Sequence, residues 1–263
     1  PAVVRSLYGR EVVKASAPYR LQLTKLTDGC VAFTPSFRAA YIDRFDLDPE
    51  RVVVSPMSTD LVHFSPVTKH VDMRPEFGVT PDVPLIGIVG RWQKYRKAEV
   101  FIEAAKLVLQ QCPDVRFLII GRSSQMEETV VKPIRKLGLE QQVLLAGYRG
   151  EDYVDTIANL DIFTLLMPGF DGTARAVREA MALGKPCVVS DIGMLPEIVP
   201  HEQAGLVTRA NPPDLAASWL DLIGNADKRR QLGANARRHA EQHFRIDAVG
   251  PCLETLYQRL TTG

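Results

Sequence analysis

Four cations fall within seven positions in Gly90-Arg91-Trp92-Gln93-Lys94-Tyr95-Arg96-Lys97. They follow a short apolar run, Leu85 to Val89, and precede an amphipathic stretch that begins at Ala98. A helix N-terminus carries partial positive charge and unsatisfied N–H groups. Arg and Lys added to it make a site for a di-anion such as a pyrophosphate. A solvated basic loop explains the same residues equally well.

A second candidate runs from Pro168 to Pro186, where Gly169-Phe170-Asp171-Gly172-Thr173-Ala174 leads into Arg175-Ala176-Val177-Arg178-Glu179-Ala180-Met181. Gly172, Thr173 and Ala174 would offer N–H donors at a helix start, and Asp171 is placed to cap it. Glu179 has two readings. It can pair with Arg175 four residues earlier, worth about 0.3 to 0.5 kcal/mol, or accept two hydrogen bonds from a ribose diol. Type and spacing do not choose between them. A third segment, Ser190-Asp191-Ile192-Gly193-Met194-Leu195-Pro196-Glu197-Ile198-Val199, follows another apolar run and could border the same place or be an ordinary loop.

These segments need elements to hold them, and from residue 83 a pattern recurs. Apolar runs at Leu85 to Val89, Val115 to Ile120, Val143 to Ala146, Ile162 to Met167, Pro186 to Ser190 and Leu206-Val207 alternate with helical stretches. Runs apolar at consecutive positions suit strands buried on both faces of a parallel sheet. Ala98 to Gln110 puts Phe101, Ile102, Ala105, Val108 and Leu109 on one side, the 3.6-residue period. Gly138 and Gly184 stand where helix C-caps belong. The pattern predicts a doubly wound α/β domain, Rossmann-like in its parallel sheet. Gly90, Gly121 and Gly147 each end a predicted strand. Ligands of such sheets bind outside the carboxyl ends of the strands, where glycine allows close backbone approach.

In this order the segments resemble the C-terminal half of a retaining glycosyltransferase of family 4, with the two-domain GT-B fold. The matching stretches are Val89-Gly90-Arg91, Phe101-Ile102-Glu103-Ala104, Phe117 to Gly121, Leu145 to Tyr148, Arg178 to Pro186 and Leu195 to Val199. Val52 to Pro56 with Asp60, Phe64 and Pro66 is similar to the family's hinge. The resemblance implies that Arg91, with Arg96 or Lys97, holds the donor diphosphate. It implies that Glu179 binds the ribose, that Gly172, Thr173 and Ala174 face the sugar or its phosphate, and that backbone near Tyr148 and Arg149 borders the base. It also implies that Gly90 and Gly121 border the same donor site. Asp171 stands where the family usually has Glu, and Arg96-Lys97 where it usually has Lys-Gly. Family members also carry a glycine-rich loop and a sugar-side histidine in an N-terminal acceptor domain. Neither precedes residue 30, and none of His63, His70, His201, His239 and His243 stands in a matching context.

The expected organisation is therefore the end of an acceptor-side domain at 1–66, a polar linker at 67–82, a donor-binding domain at 83–242 and a C-terminal helix at 243–263 that crosses back. With 263 residues beginning at Pro1, the chain reads as a fragment, since two such domains need about 300 to 400 residues. Residues 1–66 should then expose apolar surface.

Lys plus Arg is 32 and Asp plus Glu is 31, a net charge of +1 that argues against a nucleic-acid binder. The four cysteines are far apart with no CxxC, which suits a reducing cytoplasm. No apolar run can span a bilayer. No Asp, Glu or His cluster has metal-ligand spacing, so no metal and no cofactor beyond the nucleotide-sugar donor is expected. The resemblance implies a carbohydrate or glycolipid acceptor and a cytoplasmic place. A peripheral membrane contact is an option because many acceptors of the family are lipid-linked. Two rival readings are a non-catalytic nucleotide-sugar-binding module and a nucleotide-sugar epimerase on a related fold. A dinucleotide dehydrogenase is disfavoured, because no G-x-G-x-x-G follows the first strand.

Overall fold

The computed structural model describes residues 2–7, 9, 13–168 and 174–262. Asp171, Gly172 and Thr173, expected at the donor site, lie outside the described residues.

The chain opens with β1 (Val4–Ser6), α1 (Ala17–Lys25), β2 (Gly29–Ala32), α2 (Pro35–Phe45) and β3 (Val52–Val54). Their strands form a three-stranded parallel sheet in the order β1-β2-β3. Local chemistry sets these helices. Pro35 occupies the first turn of α2, where its missing N–H costs nothing. Thr34 Oγ1 accepts from the Phe37 N–H at 3.3 Å. Ser16 caps α1 in the same way, accepting from the Tyr19 N–H at 3.4 Å. Leu23, Phe37, Tyr41 and Phe45 pack on Cys30, Ala32 and Val52 as a small core.

The segment that follows is polar, yet it is docked rather than loose. Arg74 is buried, and its Nη2 meets Asp161 Oδ2 at 2.6 Å. The same carboxylate oxygen accepts from the Leu85 N–H at 2.8 Å, at the first residue of the next strand.

The larger sheet contains β4 (Leu85–Val89), β5 (Arg116–Ile120), β6 (Val143–Gly147), β7 (Ile162–Leu165), β8 (Cys187–Ser190) and β9 (Gly205–Thr208). Its order is β6-β5-β4-β7-β8-β9, all parallel. The chain winds outward from β4 in one direction and from β7 in the other. The switch point lies between those two strands, where open α/β sheets bind ligands. The helices are α3 (Ala98–Leu109), α4 (Lys132–Leu137), α5 (Tyr153–Ala158), α6 (Arg175–Ala182), α7 (Leu195–Ile198), α8 (Pro212–Gly224), α9 (Ala226–His243) and α10 (Ile246–Thr262).

The buried runs make two apolar layers. On one face Phe101 of α3, Phe117 of β5 and Trp219 of α8 meet with ring centroids 5.0 to 5.9 Å apart. The buried indole N–H of Trp219 donates to Thr164 Oγ1 at 3.0 Å, so neither polar group is left orphaned. The other face buries Val177, Ala180 and Met181 of α6 with Ala236 and Ala240 of α9. Gly138 and Gly184 end α4 and α6 at φ of +67° and +68°, the left-handed C-caps the sequence suggests. α10 runs back to the small sheet, where its Leu256 and Leu260 lie over Gly29.

Candidate functional site

The site begins with backbone packing at three strand ends. The Gly90 N–H donates to the Ile120 carbonyl at 3.0 Å, and the Gly121 N–H to the Gly147 carbonyl at 2.7 Å. The ends of β4, β5 and β6 are thereby joined side by side. Gly121 has φ +119°, and a Cβ there would stand 2.0 Å from the Gly90 carbonyl oxygen. Only glycine fits, because any side chain would push the two loops apart.

The basic loop is pinned by a residue that sequence reasoning did not single out. Trp92 is buried, and its indole N–H donates to the Ile120 carbonyl at 3.1 Å. Thr129 Oγ1 donates to the Trp92 carbonyl at 3.1 Å. With Trp92 fixed inward, its neighbour Arg91 is exposed at the rim of a cleft of about 360 Å³. The cleft is lined by Gly90, Arg91, Gly121, Arg122, Tyr148 and Tyr153 among others. Among the described residues the Arg91 side chain has no hydrogen-bond partner.

The other two cations are held differently. Arg96 reaches across the switch point, and its Nη1 donates to the Met167 carbonyl at 2.9 Å, just past β7. Lys97 sits at φ +56° as the residue before α3. That is a left-handed position, so the place where the resemblance expects glycine does need a glycine-like backbone. Ala174 enters α6 with φ +47° and makes no side-chain cap.

Tyr148 is exposed, and the Arg122 guanidinium lies over its ring at 4.4 Å from the centroid. Arg149 lines the cleft but turns its head aside. Its Nη2 meets Glu76 Oε1 at 2.5 Å, and its Nη1 meets Asp152 Oδ2 at 2.8 Å. These bonds, Glu76's first, raise the Arg149 pKa and hold Asp152 below the usual carboxylate range. The guanidinium therefore ties the segment before β4 to α5, and Arg149 has only its backbone to offer a ligand.

Glu179 is 2% exposed and is not among the residues lining the cleft. Arg175 Nε donates to its Oε1 at 2.5 Å, so the ion pair four residues apart is present. Tyr153 Oη donates to its Oε2 at 2.7 Å. Burial, then the charge of Glu179, push the Tyr153 hydroxyl well above its ordinary pKa, so it remains a proton donor at neutral pH. Tyr153, which no local motif announces, stands between Glu179 and the cleft.

Two other candidates fall away from this place. Ser190 is buried and its hydroxyl donates to the Leu166 carbonyl at 2.5 Å, bracing β8 against the end of β7. Glu197 faces α2, where its Oε2 accepts from the Ser36 N–H at 3.0 Å and its Oε1 from the Ser36 hydroxyl. A roomier cavity, about 780 Å³, lies between residues 58–62 and the α9–α10 junction. Its two arginines are already paired, Arg237 with Glu241 and Arg245 with Asp247. The strand-end cleft, with its exposed cation, is the better anion site. Among the described residues no group of three or more His, Cys, Asp or Glu could hold a metal ion.

The chain is similar to known proteins over most of its length. The chain is 27% identical over 239 residues to the D-inositol 3-phosphate glycosyltransferase of Nocardia farcinica, covering 83% of this chain and 50% of that protein. It is 28% identical over 252 residues to the protein of that name from Corynebacterium efficiens, covering 92% and 59%. It thus spans about half the length of the curated relatives it matches. The crystal structure of Anabaena HepE in complex with UDP superposes with a TM-score of 0.84 at 22% identity, over 100% of this chain and 72% of that one. The same Anabaena protein is also known in complex with UDP-glucose. That likeness establishes the GT-B type of α/β fold. The family model for glycosyl transferases group 1 matches residues 72–239, from the segment before β4 through most of α9, and the chain belongs to that family.

Proposed function

We propose that this chain supplies the donor half of a glycosyltransferase that moves a sugar from a nucleotide diphosphate sugar to an acceptor hydroxyl. The observation that carries this reading is the cleft at the glycine-joined ends of β4, β5 and β6, with exposed Arg91 at its rim. The donor complexes of the Anabaena structural neighbour support it.

In this reading the diphosphate lies against the Gly90 and Gly121 backbone. The base lies by Tyr148 and the backbone of Arg149, and the ribose lies above Glu179. Transfer breaks the bond from the anomeric carbon to the diphosphate oxygen, and the diphosphate leaves with the electron pair. Arg91, with Arg96 or Lys97, stabilises that growing negative charge, as preorganised cations do, and no metal takes part. The new bond forms with retention at the anomeric carbon. The acceptor is a carbohydrate or glycolipid, in glycan, polysaccharide or glycolipid synthesis, on the cytoplasmic side.

Calorimetric titration with UDP, GDP and ADP tests the reading, followed by a hydrolysis and transfer assay with the matching nucleotide sugar. Binding of one nucleoside diphosphate in the micromolar range with turnover of its sugar supports it. Binding without turnover favours a nucleotide-sugar-binding module. Isomerisation of the donor with no acceptor present favours an epimerase.

A further inference from the structure

Glu179 is held by two donors of different kinds. Arg175, on the same helix, takes Oε1 from the solvent side, and its side chain is 77% exposed. Tyr153, from α5, takes Oε2 from the cleft side. A carboxylate oxygen has two lone-pair directions. One donor on each oxygen fixes the carboxylate plane and leaves one direction on each oxygen for further donors. A vicinal diol offers two hydroxyl donors at matching separation. The Tyr153 ring is itself seated, edge-on to Phe64 with centroids 6.3 Å apart. The hydroxyl thus has a fixed origin as well as a fixed target.

We propose that Tyr153 is a positioning residue for recognition of the nucleotide ribose, its hydroxyl aiming the Glu179 carboxylate at the ribose diol. The proposal rests on the reading of Glu179 as the ribose partner given above. Tyr153 acts through Glu179 and sits beside it at the wall of the cleft. With Phe at this position the ring packing survives, but Oε2 loses its donor and the buried carboxylate turns toward whatever donor remains. Affinity gained from the two ribose hydroxyls then falls, while affinity for the base and diphosphate stays.

The test compares a nucleoside diphosphate with its 2′,3′-dideoxy counterpart in calorimetric titrations. The pair used is the one among UDP, GDP and ADP that the wild-type chain binds most tightly. Wild type should prefer the ribose form, and Glu179→Ala should abolish that preference. Tyr153→Phe should reduce the preference about tenfold, the scale of one hydrogen bond to a charged group. It should leave affinity for the dideoxy form unchanged. Tyr153→Phe added to Glu179→Ala should change nothing further, as expected of a residue that works through the carboxylate. Equal weakening of both nucleotides by Tyr153→Phe would mean that the ring only packs the cleft, and would overturn the proposal. So would an unchanged preference in Tyr153→Phe while Glu179→Ala abolishes it, and in that case the ribose reading stands alone. A preference that survives Glu179→Ala, or no nucleotide bound by wild type, overturns the ribose reading and the proposal with it.

Discussion

Lys97 takes φ +56° at the junction of the basic loop and α3. A side chain in that conformation costs about 1 to 2 kcal/mol, and glycine removes the cost while adding back chain entropy. Lys97→Gly should therefore raise unfolding free energy by about 0.5 to 1 kcal/mol in urea melts. Arg91 lies at the other end of the loop, exposed beside the buried Trp92. Arg91→Ala should leave stability within about 0.5 kcal/mol. In the proposed transfer it should lower kcat by about 10²-fold with a smaller rise in donor KM, because its charge matters most as the diphosphate leaves. Equal losses in both would mean that Arg91 only binds the ground state. At this scale the backbone frame of the candidate site was legible. A glycine at the end of each of three apolar runs is a local pattern, and so is a basic cluster before a helix. Tyr153 was not legible, because its bond to Glu179 spans 26 residues and depends on how α5 packs beside α6. Nor was the diversion of Arg149, whose partner Glu76 lies 73 residues earlier.

Among the elements, buried strands were the easiest to read, since both faces of the large sheet are covered and the runs stay apolar without a break. The chain between β5 and β6 was harder. Glu127–Val131 winds as a π-helix before α4, and its apolar positions Met126, Val130 and Ile134 recur every four residues. An ordinary α-helix shows the same spacing, so the pattern does not announce the wider π turn. α9 carries a pH-sensitive contact near its end. The His239 ring lies 4.3 Å from that of His243 and 5.5 Å from that of Phe244. Burial, then the charge of His243, lower the His239 pKa from 6.5 to about 4. In the unfolded chain this histidine takes up a proton below about pH 6.5. Between that pH and about 4 the unfolded state therefore binds more protons. Stability is full above the unfolded value and declines as pH falls through the window. The ring is only half-buried, so the loss is on the order of 1 kcal/mol rather than the full shift. Urea melts at pH 7 and pH 4.5 should show a smaller drop for His239→Asn than for wild type. Equal drops would mean that the acid sensitivity lies elsewhere.

Across the whole molecule, the small sheet depends on chain from the other end of the sequence. Ser55 Oγ donates to the Val249 carbonyl at 3.2 Å, and the Thr59 N–H to the Phe244 carbonyl at 2.8 Å. Ser36 meets Glu197 from 161 residues away. None of these pairs has a sequence signature, because each exists only once the larger sheet has placed α7, α9 and α10. Apolar side chains at Val3, Leu21, Leu26 and Val62 remain exposed, so the first 66 residues have little burial to spare. Leu256 is 1% exposed, and its two methyl carbons lie 3.1 and 3.3 Å from where a Cβ on Gly29 would stand. With Leu260 it links α10 to β2. Truncating such a leucine costs about 2 to 5 kcal/mol. A sheet of three short strands with a small core cannot absorb that loss, whereas the six-stranded sheet with its two helical layers does not depend on the contact. Leu256→Ala should therefore accelerate amide exchange in β1, β2 and β3 by about 10²-fold or more while protection in β4 through β9 stays within threefold. It should also leave nucleotide affinity unchanged, since the cleft is built from the ends of β4, β5 and β6. Uniform loss of protection through both sheets would show that the molecule opens as one cooperative unit, with α10 part of a common core rather than a strap over the small sheet.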